Sequence, residues 1–81
     1  MKLITANEVL NLKGVPCPQN SAKALLKLAS MDFNEILEII IDDGEPKENV
    51  PSSIESDENY KVITLKKYED NSWHLLVKVI Q

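Results

Sequence analysis

The chain has 81 residues, 43% of them hydrophobic and 27% charged, with a formal net charge of −4. This composition fits one small globular domain over residues 1–81, which buries roughly 60–65% of the surface its unfolded chain exposes. The acidic balance argues against direct nucleic-acid binding, which needs a basic surface. No apolar run approaches the roughly 18–20 residues of a membrane span, and residues 1–10 lack the apolar core of a secretory signal. One cysteine and one histidine leave no internal disulfide and no ligand-spaced cluster, so neither a metal nor a cofactor is expected. A free thiol points to a reducing, cytoplasmic setting.

In chain order, Glu8 to Leu12 (EVLNL) alternates with Leu10 and Leu12 on one face and reads as a short strand. The chain then turns through Lys13-Gly14-Val15-Pro16. A helix follows, with Pro18 as its first residue and an end near Ser30-Met31. Ala22, Leu25, Leu26 and Ala29 fall at helical spacing and predict its buried face, with Lys23 and Lys27 on the polar side. Glu35 to Ile41 (EILEIII) is a second strand that buries Leu37, Ile39 and Ile41, and Asp42-Asp43-Gly44 ends it. A second helix is expected from about Asn49 to Ser56, with Asn49 as N-cap and Pro51 in the first turn. Residues 60–68 and 73–80 form the last two strands, joined at Glu69-Asp70-Asn71-Ser72.

The order is β-α-β-α-β-β. A β-α-β unit joins parallel strands, and so short a link makes the last pair antiparallel. Two helices cover one face of four strands. The expected fold is therefore α+β, a two-layer α/β sandwich with a four-stranded mixed sheet and both helices on one face. Leu37, Ile39, Ile41, Trp73, Leu75, Val77 and Val79 then point at the helices. Ile36, Glu38, Ile40, His74, Leu76, Lys78 and Ile80 point away. That uncovered face mixes apolar and charged residues; it reads as a solvated face or as the surface of a weak dimer.

Cys17 stands between Pro16 and Pro18 at the start of the first helix, where it is read as the N-cap. Backbone N–H groups at a helix start favour an anion, and the thiolate is the nucleophilic form of cysteine. Lys13 adds positive charge from the same loop. A helix terminus contributes about 0.3–1 kcal/mol to an exposed charge, which moves a thiol by less than one unit from about 8.5. The result is a primed thiol. His74 alternates onto the outer face and supplies no general base, which disfavours a self-sufficient Cys-His hydrolase. With no second cysteine there is no CxxC redox cycle. A lone primed thiol suits covalent carriage of a group passed between partner proteins.

In α/β sheets, sites form beyond the carboxyl ends of parallel strands. The Cys17 loop follows the first strand, and Asp42, Asp43 and Glu45 follow the second, so the two loops share an edge. The acidic loop reads as a docking edge for a basic partner, as a hydrogen-bonding frame for the cysteine loop, or as a solvated turn.

The segments LKGVPCPQNSAKALLKL and LEIIIDDGEPKENVPSSIE resemble the TusA/SirA-like sulfur-carrier family. Those proteins share a glycine turn, a CP-x-P helix start, a strand ending in paired aspartates, a second helix and a final hairpin. The resemblance runs from about Glu8 to Val79. It implies a carrier that takes persulfide sulfur onto Cys17 from a cysteine desulfurase or a rhodanese-like donor and relays it to an acceptor protein. Cys17 matches the persulfide cysteine, Pro18 the proline after it, and Gly14 the turn glycine. The chain departs at Asn20, which replaces the second proline, and at Asn11, where the family often has aspartate. Asn20 is read as facing the Cys17 sulfur or as reaching back to the loop backbone. The competing function class is a non-catalytic interaction or regulatory module that keeps the fold, with a structural Cys17.

Overall fold

The computed structural model describes residues 6–16 and 18–81. Its elements are β1 (Glu8–Asn11), α1 (Gln19–Ala29), β2 (Ile36–Asp42), α2 (Glu45–Glu55), β3 (Tyr60–Lys67) and β4 (Ser72–Val79). The sheet order is β1-β2-β4-β3. β1 pairs parallel to β2, with Asn11 opposite Ile40. β4 lies between β2 and β3 and is antiparallel to both, with Ile39 opposite Leu75 and Lys66 opposite His74. The sheet is therefore mixed, and the fold is the expected α+β sandwich.

Strict alternation in β2 and β4 sets the layer. Leu37, Ile39, Ile41, Leu75 and Val77 are fully buried and share one core with Ala24 and Leu28 of α1 and Val50 and Ile54 of α2. Both helices thus pack on the same side of the sheet. A one-residue slip in either strand would turn its branched side chains into solvent, which fixes the register. Trp73 is half-buried against this core, as is Leu10 on β1. On the other side, Glu38, Ile40, His74, Leu76 and Lys78 are half-buried and Ile80 is exposed.

The helices differ from expectation in phase and in start. In α1 the buried residues are Asn20, Ser21, Ala24 and Leu28. Ala22 and Ala29 are exposed, and Leu26 is 73% exposed. The two sets are both helically spaced and differ by about one residue of rotation. Packing selects between them, because Ala24 and Leu28 are the α1 residues that share the core with β2, β4 and α2. Lys27 reaches β1 and pairs with Glu8. The helix also starts one residue later than read: Pro18 is its N-cap and Gln19 its first residue.

α2 begins four residues before the expected N-cap, at Glu45, directly after Gly44. Gly44 has φ +97°, which favours glycine and turns the chain sharply out of β2. Pro46 sits in the first turn, where its missing N–H has no partner to lose, and Glu45 and Glu48 sit at the positive end of the helix dipole. Asn49 is consequently inside the helix. Pro51 is also internal, and it is buried beside Val50 and Ile54, whose burial offsets the hydrogen bond that a proline cannot donate. Among the described residues, no helix is long and apolar enough to cross a membrane.

Candidate functional site

At the carboxyl end of β1 the chain stays beside β2 for one more residue. The Leu12 N–H donates to the Ile40 carbonyl at 2.8 Å, and Leu12 is buried. The chain then reverses. The Lys13 N–H donates to Asn11 Oδ1 at 3.0 Å, and the Val15 N–H donates to the Leu12 carbonyl at 3.1 Å. Gly14, with φ +80°, completes the turn. Its N–H points across to β2 and donates to Asp42 Oδ2 at 2.6 Å. The turn that follows β1 is thus bonded to the last residue of β2.

Each sequence-selected residue of this edge has a defined place except one. Lys13 and Gly14 are in the turn, Pro16 supplies a carbonyl to the start of α1, Pro18 caps the helix, and Asn20 is in its first turn. Cys17 lies outside the described residues. Lys13 reaches the β3–β4 hairpin, with its ammonium 3.7 Å from Asp70. Asp70 is held below the ordinary carboxylate value, first by the Ser72 hydroxyl and then by the Ser72 N–H.

The two aspartates at the end of β2, Asp42 within it and Asp43 just after it, are engaged by the chain's own partners. Asp42 holds Gly14. Asp43 Oδ1 accepts the Trp73 indole N–H at 2.8 Å, with the ammonium groups of Lys47 and Lys67 at 3.6 and 3.8 Å. The indole bond is the main cause, followed by the Gly44 N–H, that keeps the Asp43 carboxyl below its ordinary range. The Lys47 ammonium also lies 5.0 Å from the centre of a Trp73 ring. Glu45 is exposed at the start of α2. Asp42 thus holds the turn after β1 at Gly14, and Asp43 holds Trp73 of β4.

The model of the sulfurtransferase TusA family matches residues 8–79. The chain belongs to that family. It is 39% identical over 75 residues to a candidate sulfur carrier protein of Archaeoglobus fulgidus, covering 93% of this chain and 84% of that protein. The crystal structure of the SirA-like protein from Desulfitobacterium hafniense matches with a TM-score of 0.77 over 91% of this chain and 99% of that one. At 13% identity, that likeness is one of fold.

Within this TusA-family chain, the geometry accounts for Asn11. Its Oδ1 accepts the Lys13 N–H two residues on, the acceptor role that an aspartate carboxylate would also fill. His74 is engaged elsewhere. On the uncovered face its Nδ1 lies 2.5 Å from Glu38 Oε2, and its ring stacks on Tyr68 at 3.8 Å. The imidazole lines a cavity of about 220 Å³ with Thr64, Lys66 and Leu76. Among the described residues, no group of three or more His, Cys, Asp and Glu side chains is placed to hold a metal.

Sequence reasoning missed two features of the edge. The Trp73–Asp43 bond joins residues 30 apart, and a single sequence carries no local pattern for such a pair. Asn20 was noted for its position, yet its complete burial was not expected. The signal available was the small residues Ser21 and Ala24 beside it, which allow a helix to sit close to its neighbours.

Proposed function

We propose that this chain carries sulfur as a persulfide on Cys17, accepting it from a cysteine desulfurase or a rhodanese-like protein and handing it to an acceptor protein. The observation that carries this reading is the family match over residues 8–79, a span that includes the chain's one cysteine. The relative described as a sulfur carrier supports the same cargo.

The chemistry needs one thiolate and two partners. The Cys17 thiolate attacks the outer sulfur of a persulfide on the donor. The donor's S–S bond breaks, its cysteine leaves as a thiolate, and Cys17 holds the outer sulfur as a perthiolate. No net oxidation occurs, because a sulfane sulfur is exchanged between two thiols. A nucleophile of the acceptor then takes the outer sulfur and regenerates the Cys17 thiolate. The partners supply the acid and base, consistent with a histidine that is tied to Glu38 on the uncovered face.

The loop geometry fits such a role. Gly14 is tied to Asp42, Lys13 is tied to Asp70 of the hairpin, and two prolines flank Cys17 in the sequence. Glu45 is exposed in the first turn of α2, and it is the group we assign to contact with a basic partner surface. A cytoplasmic setting keeps the thiol reduced between transfers.

The test is an intact-mass measurement after incubation with a cysteine desulfurase and cysteine. The wild-type chain is expected to gain one sulfur atom and Cys17→Ala none. The reading is lost if the wild-type chain gains none under conditions that load an established carrier.

A further inference from the structure

The uncovered face of the sheet carries a polar cluster outside the loops of the cysteine edge. Thr64 and Lys66 lie two residues apart on β3, opposite Leu76 and His74 of β4. Glu38 of β2 lies opposite Leu76 from the other side. Together with Tyr68 these residues line the cavity of about 220 Å³. The imidazole in its wall is fixed twice, by Glu38 Oε2 at 2.5 Å from Nδ1 and by stacking on Tyr68. Glu38 is thereby engaged. The Thr64 hydroxyl, the Lys66 ammonium and His74 Nε2 have no hydrogen-bond or ion-pair partner among the described residues.

Charge around this cavity runs against that of the chain. The chain is −4 overall, and Lys13, Lys27, Lys47 and Lys67 all pair with carboxylates. Among the described residues, Lys61, Lys66 and Lys78 pair with none. Lys61 and Lys78 lie directly opposite each other on β3 and β4, a register in which like charges repel. Lysines on an edge strand guard it against pairing with other chains, which accounts for those of β3. Lys78 is on β4, an interior strand with no edge to guard. The excess positive charge on this face draws anions toward the cavity.

We propose that this cavity binds the phosphate group of a small phosphate monoester, with Lys66, Thr64 and His74 as its hydrogen-bonding partners. Size selects a compact group, because pockets for whole small molecules run to about 300–1,000 Å³. A phosphate presents three strong acceptor oxygens, and the cavity offers three groups to meet them. The Lys66 ammonium supplies the charge-assisted bond and the Thr64 hydroxyl a neutral one. Nε2 serves in either protonation state, donating as the imidazolium or accepting the O–H of a monoprotonated phosphate. An adjoining hollow of about 460 Å³ shares Lys66 and Tyr68 with the cavity. Tyr68 is 46% exposed, and its ring is the wall for the organic part of the ester. The thiol takes no part, so the site is independent of the carrier reading.

The test is an NMR titration of the full chain with phenyl phosphate, inorganic phosphate and, at matched ionic strength, sodium chloride. Phenyl phosphate is expected to give saturable amide shifts centred on Thr64, Lys66, His74 and Leu76, and chloride none. Inorganic phosphate should move the same amides and bind several-fold more weakly, since it leaves Tyr68 uncovered. Thr64→Val keeps the shape of the side chain and removes the hydroxyl, and should weaken phenyl phosphate about fivefold. Lys66→Gln should weaken it about tenfold or more. A structural role for Thr64 would lower the melting temperature and leave the affinity unchanged, which would overturn the assignment. Shifts that stay linear in concentration, or that are as large at Lys61 and Lys78, would mean an adventitious ion only. Inorganic phosphate binding as tightly as phenyl phosphate would overturn the ester. The wild-type titration stands by itself where a variant fails to fold.

Discussion

The Gly14 N–H and the Asp42 carboxylate are 28 residues apart in the chain and 2.6 Å apart in space. This bond ties the turn after β1 to the end of β2, so the loop leading to Cys17 is anchored to the strand in the middle of the core. Removing the carboxylate in Asp42→Ala is expected to cost about 1 kcal/mol, the typical net worth of one hydrogen bond at a partly exposed site. Asp42→Asn keeps an acceptor oxygen and is expected to lose less. Urea denaturation reads the stability, and amide exchange at Gly14 reads the loop. Equal exchange rates in Asp42→Ala and the wild type would show that the bond does not hold the loop.

The glycine partner of that bond is constrained by conformation. Gly14 has φ +80°, and a Cβ built on it would meet nothing within 4 Å. The cost of Gly14→Ala is therefore backbone strain alone, about 1–2 kcal/mol. Gly14→Asn should cost less, since asparagine tolerates the left-handed region. The chain itself shows as much at Asn34 and Asn71, with φ 72° and 63°. Thermal melts of the two variants are expected to rank wild type, Asn, then Ala. The opposite order would mean that size matters at this turn more than φ.

The sheet was legible because its signal is local. Leu37, Ile39 and Ile41 alternate without interruption, and their burial, with that of Leu75 and Val77, follows from period two alone. The phase of α1 was not legible. Residues 22, 25, 26 and 29 and residues 20, 21, 24 and 28 are both acceptable helical stripes, and the more apolar one is the wrong choice. What decides is which stripe meets the sheet and α2, a tertiary choice that puts Ala24 and Leu28 in the core. The start of α2 was hidden by Pro51, which reads as a helix start but is accommodated inside one. At the site, the sequence placed the two loops on one edge through the β-α-β rule. The bonds that join them, Gly14 to Asp42 and Trp73 to Asp43, come from tertiary proximity and leave no trace in local pattern.

Asp43 and Asp70 predict how stability responds to acid. Both carboxyls are held below the ordinary value of 3.8, Asp43 chiefly by the Trp73 indole N–H and Asp70 chiefly by the Ser72 hydroxyl. A depressed folded pKa means that the unfolded chain binds the proton first. The stabilisation is fully present above about pH 4 and is lost as pH falls through the lower, folded values. Between pH 7 and 5 these two groups should therefore contribute no slope. Trp73→Phe removes the indole donor while keeping an aromatic ring, so its urea midpoint should fall less steeply than that of the wild type below pH 4. An unchanged slope would mean that the Trp73–Asp43 bond does not set that titration.

The two leucines of α1 test the phase of the helix directly. Leu28 is fully buried in the shared core and Leu26 is 73% exposed, although both sit on stripes of helical spacing. Leu28→Ala removes core volume and leaves a cavity, at an expected cost of about 2–5 kcal/mol. Leu26→Ala lies at a solvent-facing position of good helix propensity and should stay within about 0.5 kcal/mol of the wild type. A domain this small has a total stability of order 5–15 kcal/mol, so the first variant should show a lowered denaturation midpoint and the second almost none. If Leu26→Ala proved the costlier of the two, α1 would be rotated by about one residue, and the burial of Asn20 would have to be given up with it.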